Sequence, residues 1–208
     1  MKITLFTNNQ PRHINLINKL SKIAKYIFCI QECNTVFPGE VNDFFKNSKV
    51  MKTYFDEVRA SERKIFGELK FTNNNVSTLS IKNGDLSKLN KTQLKDALSS
   101  DVYIVFGASY IKGWLIDFLV SKNALNIHMG LSPYYRGSSC NFWALYDYNP
   151  SYVGATIHKL SKGLDSGPIL FHCLPKLIEK DTSFDFTMRS VETAHNALYN
   201  RLKDNSIF

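Results

Sequence analysis

Two polar side chains, Asn126 and His128, stand two residues apart in the segment Ala124-Leu-Asn-Ile-His128, and a carboxylate, Asp165, follows in the loop Gly163-Leu-Asp-Ser-Gly-Pro168. A hydrogen-bond donor, an ionisable imidazole and a carboxylate are what an acyl group needs to pass from a carrier to an amine. As an amine attacks a carbonyl, negative charge builds on the oxygen and positive charge on the nitrogen, so the site must hold fixed donors and a proton acceptor. Asn126 and His128 can supply the donors. A carboxylate beside the imidazole holds its tautomer, favours its protonated form and helps carry the amine proton, directly or through a water. Asp165 suits that part because Gly163, Gly167 and Pro168 fix its loop tightly.

The elements that must position these groups are readable from apolar spacing. Lys2 to Phe6 reads as a short strand, Asn8-Asn9-Gln10 as a turn, and Pro11 fits the first turn of a helix carrying Ile14, Ile17, Leu20 and Ala24 on one stripe. Tyr26 to Ile30 returns as a strand, which makes a βαβ unit and calls for a parallel sheet. Val36 to Phe71, with Phe44-Phe45, has no clean period and is expected to give helical or irregular cover. Val76 to Ile81 is a strand candidate, and Leu94 and Leu98 fit a short helix.

Asp101 to Phe106 is a continuous apolar run of the kind buried on both faces. It ends at Gly107-Ala-Ser109, where an open α/β sheet places its ligands. A helix from Ile111 to Val120 leads to a strand from Ala124 to Ile127. In a strand, residues i and i+2 share a face, so Asn126 and His128 point together while Ile127 packs the other way. Gly137-Ser138-Ser139 looks like the start of a helix that carries Phe142, Trp143 and Leu145 inward. Tyr152 to Leu160 and Ile169 to Leu174 add two strands around the Asp165 loop. Phe184, Met188, Val191, His195, Leu198 and Leu202 then define a closing amphipathic helix capped by Asp181 or Thr182, with His195 belonging to the helix rather than to a site.

At 208 residues, 44% hydrophobic and 13% aromatic, the chain suits one globular domain over 1–208 with a sizeable core. No apolar run reaches the roughly 18 residues of a membrane span, and the opening lacks a secretory signal, so a cytoplasmic protein without membrane partners is expected. The four cysteines form no CxxC pair and predict neither disulfides nor a metal site. A formal charge of +8 favours anionic partners without separating nucleic acid from phosphorylated metabolites. No Lys/Arg tract with interleaved aromatics is present, so nucleic acid is not the expected partner.

Three segments, Asn126-Ile-His-Met-Gly-Leu-Ser-Pro-Tyr-Tyr-Arg-Gly137, Gly154-Ala-Thr-Ile-His158 and Gly163-Leu-Asp-Ser-Gly-Pro-Ile-Leu170, resemble in order and spacing the folate-dependent formyltransferase family. The resemblance extends upstream through Asp101 to Ile111. It implies a Rossmann-like, mostly parallel α/β catalytic domain in which Asn126, His128 and Asp165 form the catalytic triad. It also implies 10-formyltetrahydrofolate as donor and tetrahydrofolate as product. The pterin would lodge against Ser109, Tyr110, Ile111 and Lys112 and against Lys162, Gly163 and Leu164. The family often has Ser-Leu-Leu-Pro after the His, where this chain has Met129-Gly-Leu-Ser-Pro133.

The acceptor is an amine that the triad alone does not name. Glycinamide ribonucleotide enzymes typically carry a glycine-rich phosphate loop after the first strand, and Thr7 to His13 contains no glycine. Methionyl-tRNA enzymes add a C-terminal OB-like barrel, which is not expected here. The Asn-Asn-Gln-Pro-Arg-His opening resembles sugar-amine N-formyltransferases, which implies a nucleotide-linked amino dideoxysugar used for surface polysaccharide such as lipopolysaccharide O-antigen. Asn9, Arg12, His13, Tyr134 and Arg136 are candidate acceptor contacts. Formyl transfer to glycinamide ribonucleotide or methionyl-tRNA is the enzyme alternative, and a folate or nucleotide-sugar binding module on the same fold the non-enzyme one. Oligomeric state is open, with a homodimer among the options.

Overall fold

The computed structural model describes residues 1–33 and 48–207. Apolar alternation generates the strands. β1 (Lys2–Asn8) is buried from Ile3 onward, with Ile3 and Leu5 entering one core and Phe6 the other. Pro11 opens α1 (Pro11–Leu20), whose Leu16, Ile17 and Leu20 are buried. β2 (Tyr26–Cys33) runs three residues past the expected Ile30 and so brings Glu32 into the sheet. Of the expected cover, 34–47, with Phe44-Phe45, lies outside the described residues, whereas Lys49–Phe66 forms α2. Ser48 caps α2 by accepting from the Met51 N–H, and Gly67, at φ +76°, ends it.

β3 (Val76–Lys82) is followed by single 3-10 turns at Leu86–Lys88 and Ala97–Ser99, the latter standing where a short helix was expected. β4 (Val102–Val105) is buried at every residue. α3 (Gly113–Ser121) starts two residues later than the spacing predicted, at a glycine with φ +65°, while Ile111 is buried in the loop before it. β5 (Leu125–His128) carries Asn126 and His128. α4 (Cys140–Tyr146) corrects the expected packing: Cys140, Asn141 and Ala144 are buried, whereas Phe142 and Trp143 are exposed and Leu145 is half-buried. Seven residues make barely two turns, and the Cys140/Ala144 spacing, not the bulkier residues, sets the inward face.

β6 (Ala155–Lys159) and β7 (Ile169–Cys173) complete a seven-stranded sheet of order β3-β2-β1-β4-β5-β6-β7. Tyr152, expected in β6, belongs instead to a 3-10 turn at Pro150–Tyr152. Pairings among β3, β2, β1, β4 and β5 are parallel, and those of β5 with β6 and β6 with β7 are antiparallel. α5 (Ser183–Lys203) closes the fold through a capping box. Thr182 Oγ1 accepts from the Asp185 N–H, and Asp185 Oδ2 accepts from the Thr182 N–H.

Two cores lie on opposite faces of the sheet. One gathers Leu16, Ile17 and Phe66 with Val191, Leu198 and Leu202; the other gathers Leu86 and Leu94 with Leu115 and Leu119. Strand order reverses direction between β1 and β4, so the crevice at the C-terminal ends of these strands and β5 is where the backbone parts to admit a ligand.

Candidate active site

Asn126 and His128 leave β5 on one face, while Leu125 and Ile127 enter the core on the other, as period-2 alternation requires. Asp165 reaches them from the loop between β6 and β7. It takes φ +44°, a left-handed conformation that is sparse for a side chain other than glycine and is held here by its surroundings. Gly167 is one reason it holds. A Cβ there would lie 1.7 Å from the Lys159 carbonyl oxygen, so only glycine lets the loop press against β6.

The Asp165 carboxylate is the hub of the arrangement. Oδ2 accepts from the Gly137 N–H at 3.0 Å and lies 3.2 Å from His128 Nδ1; Oδ1 accepts from Asn126 Nδ2 at 3.1 Å. Burial works against its charged form. The donors turned toward it, the His128 ring and the Gly137 N–H, outweigh burial and hold the carboxyl below its ordinary range.

Partners assign the protons of both imidazoles. His128 Nε2 lies 2.9 Å from the Tyr135 carbonyl oxygen and Nδ1 faces the Asp165 carboxylate, so only a ring protonated on both nitrogens donates to both acceptors. His158 is different. Its Nδ1 lies 2.8 Å from the Lys159 carbonyl oxygen and must donate, which leaves the Nε2 lone pair to accept from Asn126 Nδ2 at 2.9 Å.

A cavity of about 640 Å³ opens over this cluster. Val105, Ile111, Ile116 and Leu160 give it an apolar wall, and Asn126, His128 and Asp165 stand at its floor. Its size and mixed lining suit a flat, drug-sized heterocycle. Of the expected pterin contacts, Ser109, Tyr110, Ile111, Gly163 and Leu164 line it. Lys112 and Lys162 do not. The Lys112 ammonium lies over the Tyr110 ring and Lys162 pairs with Asp117 at 2.6 Å, while the Lys162 carbonyl accepts from the Tyr110 hydroxyl and so ties the two walls together.

A second cavity of about 460 Å³ adjoins the first, sharing Arg12, Met129 and Gly137. Tyr54, Phe142, Tyr146 and Phe184 supply aromatic surface, and Ser139, Ser183, Thr187 and Asn141 supply hydroxyl and amide groups. Of the expected acceptor contacts, Arg12 stands at the junction, its guanidinium 2.8 Å from the Glu62 carboxylate. His13 lines the first cavity but is buried and bonded to Thr7 Oγ1; burial, then the Arg12 charge, drive its pKa well below the ordinary value. It is therefore a neutral group at physiological pH and cannot attract a phosphate by charge. Tyr134, packed edge-on against Tyr152, and Arg136 are exposed and line neither cavity; Asn8 and Gln10, rather than Asn9, line the first.

Three groups escaped the sequence reading. His158 ends the segment Gly154-Ala-Thr-Ile-His158, whose spacing alone gives the ring no role. Asn8 sits at the end of β1. Glu32, fully buried at the end of β2, accepts from the Ser109 N–H and hydroxyl at 2.6 and 2.8 Å and from the Gly84 N–H at 2.8 Å, pinning the cavity wall to the sheet. The signal available was a carboxylate ending an apolar strand. Among the described residues, no group of three or more His, Cys, Asp or Glu side chains is placed to hold a metal, and no helix is long and apolar enough to cross a membrane.

The formyl transferase family profile matches residues 54–202. A methionyl-tRNA formyltransferase of Koribacter versatilis is 32% identical over 107 residues, covering 51% of this chain and 34% of the relative. A GDP-perosamine N-formyltransferase of Brucella melitensis is 26% identical over 110 residues, covering 47% of this chain and 42% of the relative. These matches thus span less than half the length of those relatives. In fold, a glycinamide ribonucleotide transformylase from Geobacillus kaustophilus aligns over 98% of this chain and 97% of its own, with TM-score 0.63 and 18% identity. The formyltransferase PseJ from Anoxybacillus kamchatkensis, solved with UDP-4,6-dideoxy-4-formamido-L-AltNAc and tetrahydrofolate, aligns over 97% and 75%, with TM-score 0.51 and 18% identity. With the profile spanning most of its length, the chain belongs to the formyl transferase family.

Proposed function

We propose that this protein transfers a formyl group from 10-formyltetrahydrofolate to the amine of a nucleotide-linked amino sugar. The observation that carries formyl transfer is the Asp165 carboxylate, which gathers Asn126, His128 and the Gly137 N–H within 3.2 Å at the floor of a heterocycle-sized cavity.

When bound, the folate supplies the formyl carbon at which the amine attacks. Ile111, Ile116 and Leu160 suit a flat ring system, and Tyr110 and Leu164 line the same cavity. The Asn126 N–H that meets Asp165 in the free protein and the His128 ring are the donors within reach of the carbonyl oxygen as it gains charge, and a single such donor is worth about 10²- to 10³-fold in rate. Asp165 orients the His128 ring and, directly or through a water, takes the proton that the amine sheds; as the bond from the formyl carbon to the folate N10 breaks, that nitrogen takes up a proton and departs as tetrahydrofolate.

The second cavity supports the sugar reading. Aromatic faces suit the C–H faces of a sugar ring, and hydroxyls with an amide suit its polar substituents. Arg12, at the junction, is the cation placed to meet a pyrophosphate. The GDP-perosamine relative agrees in substrate class. Use of the product in surface polysaccharide or O-antigen, and a cytoplasmic location, belong to the same proposal. The test is a panel of amines with 10-formyltetrahydrofolate. Formylation of nucleotide-linked amino sugars alone is expected; formylation of glycinamide ribonucleotide or methionyl-tRNA instead overturns the acceptor, and of none overturns the activity.

A further inference from the structure

His158 lies beneath the cluster, 1% exposed, at the position on β6 that pairs with Asn126 on β5. Its backbone neighbour fixes its tautomer: the Lys159 carbonyl oxygen accepts from Nδ1, so Nε2 keeps its lone pair and faces Asn126 Nδ2. The Asn126 amide has two planar orientations related by a half-turn, and only one presents a donor to both Asp165 Oδ1 and His158 Nε2. The reverse orientation sets Asn126 Oδ1 against a carboxylate oxygen and a lone pair. Gly167 reinforces the lock, since a Cβ there would stand 3.2 Å from His158 Nδ1 as well as striking the Lys159 carbonyl.

We infer that His158 is a positioning residue for the transfer: its Nε2 lone pair and Asp165 Oδ1 take the two Nδ2 hydrogens of Asn126, so that the amide and the carboxylate are held in one fixed arrangement at the cavity floor. The inference rests on the formyl-transfer reading for its kinetic consequence but not for its geometry.

The test compares wild type with His158→Leu, which has no acceptor, and His158→Gln, whose amide carries both a donor for the Lys159 carbonyl and an acceptor for Asn126. His158→Phe, which keeps the ring shape, replaces the leucine variant if that one does not fold. The acceptor-free variant should lose about 3- to 10-fold in kcat, the scale of one ordinary hydrogen bond, with KM for the folate unchanged, and His158→Gln should recover most of it. In 15N spectra, one Asn126 side-chain N–H should exchange faster with solvent in the acceptor-free variant than in wild type or His158→Gln. Equal losses in the two folded variants, or unaltered Asn126 exchange, would overturn the inference. An inactive wild type would count against formyl transfer alone, because the exchange measurement still decides the role of His158.

Discussion

His128 Nδ1 lies 3.2 Å from Asp165 Oδ2 while Nε2 of the same ring lies 2.9 Å from the Tyr135 carbonyl, so both nitrogens of one imidazole face acceptors. The carboxylate side chain is only 12% exposed, and its charge is what holds the Nδ1 side of the ring. Asp165→Asn keeps the shape and removes the charge. The expected result is a fall of about 10²- to 10⁴-fold in kcat with a melting temperature within a few degrees of wild type. A rate within a few-fold of wild type would mean that the charge plays no part.

The same carboxylate and Asp185 set the acid limit of stability. Asp185 is buried, which alone would raise its pKa. Hydrogen bonds from Lys64, from the Thr182 N–H and hydroxyl, and from Ser61 outweigh this and hold it at about 2, and Asp165 is shifted in the same direction. A depressed folded-state pKa contributes stability that is fully present above the unfolded value near 3.8 and is lost as pH falls toward 2. Asp185→Asn should cost about 1–2 kcal/mol at neutral pH and lose less further stability than wild type between pH 4 and pH 2. Denaturant melts across that range check it; parallel curves would contradict the assignment.

Gly167 tests whether the Asp165 loop must lie against β6. Gly167→Ala forces a Cβ toward the Lys159 carbonyl, and the loop must back away by an ångström or more. Because misplacement on that scale costs about 10²-fold, kcat should fall by that factor with the folate KM altered less. Steady-state kinetics at saturating folate decide it, and unchanged kcat would show that the loop tolerates the shift.

Glu32 carries a separate prediction, since it touches Ser109 in the wall of the first cavity but not the proposed reacting groups. Glu32→Gln removes the charge that orders the Ser109 N–H and hydroxyl. KM for the folate should rise about tenfold with kcat nearly constant, as expected when binding is lost without a change in the chemical step. A matching fall in kcat would place Glu32 in the chemistry instead.

Strand periodicity made β1, β2, β4 and β5 legible, and with them the shared face of Asn126 and His128, because these strands are buried and their apolar runs are uninterrupted. The Thr182 cap and the stripe of α5 were legible for the same local reasons. What sequence spacing could not supply is who meets whom across the sheet. His158 sits in an ordinary strand alternation, and only its register opposite Asn126 gives it a partner. Glu32 falls beyond the strand expected to end at Ile30 and gains its place only because β2 runs on to Cys33. Phe142 and Trp143 invite an inward reading by hydrophobicity, yet Cys140 and Ala144 take the inner face and leave those rings at the second cavity and the surface. Arg136 and Tyr134 follow the triad strand closely in sequence but are carried away from the cavity by the turn at Ser132 and Pro133.

The most direct test of the account is a single-turnover measurement of formyl transfer from 10-formyltetrahydrofolate to a nucleotide-linked amino sugar, with wild type beside His128→Ala. The expected result is a formamido sugar with stoichiometric tetrahydrofolate from wild type and a rate lower by about 10²-fold or more in the variant. Wild-type protein that releases no tetrahydrofolate in the presence of any amine of that class, or a variant as fast as wild type, would contradict it.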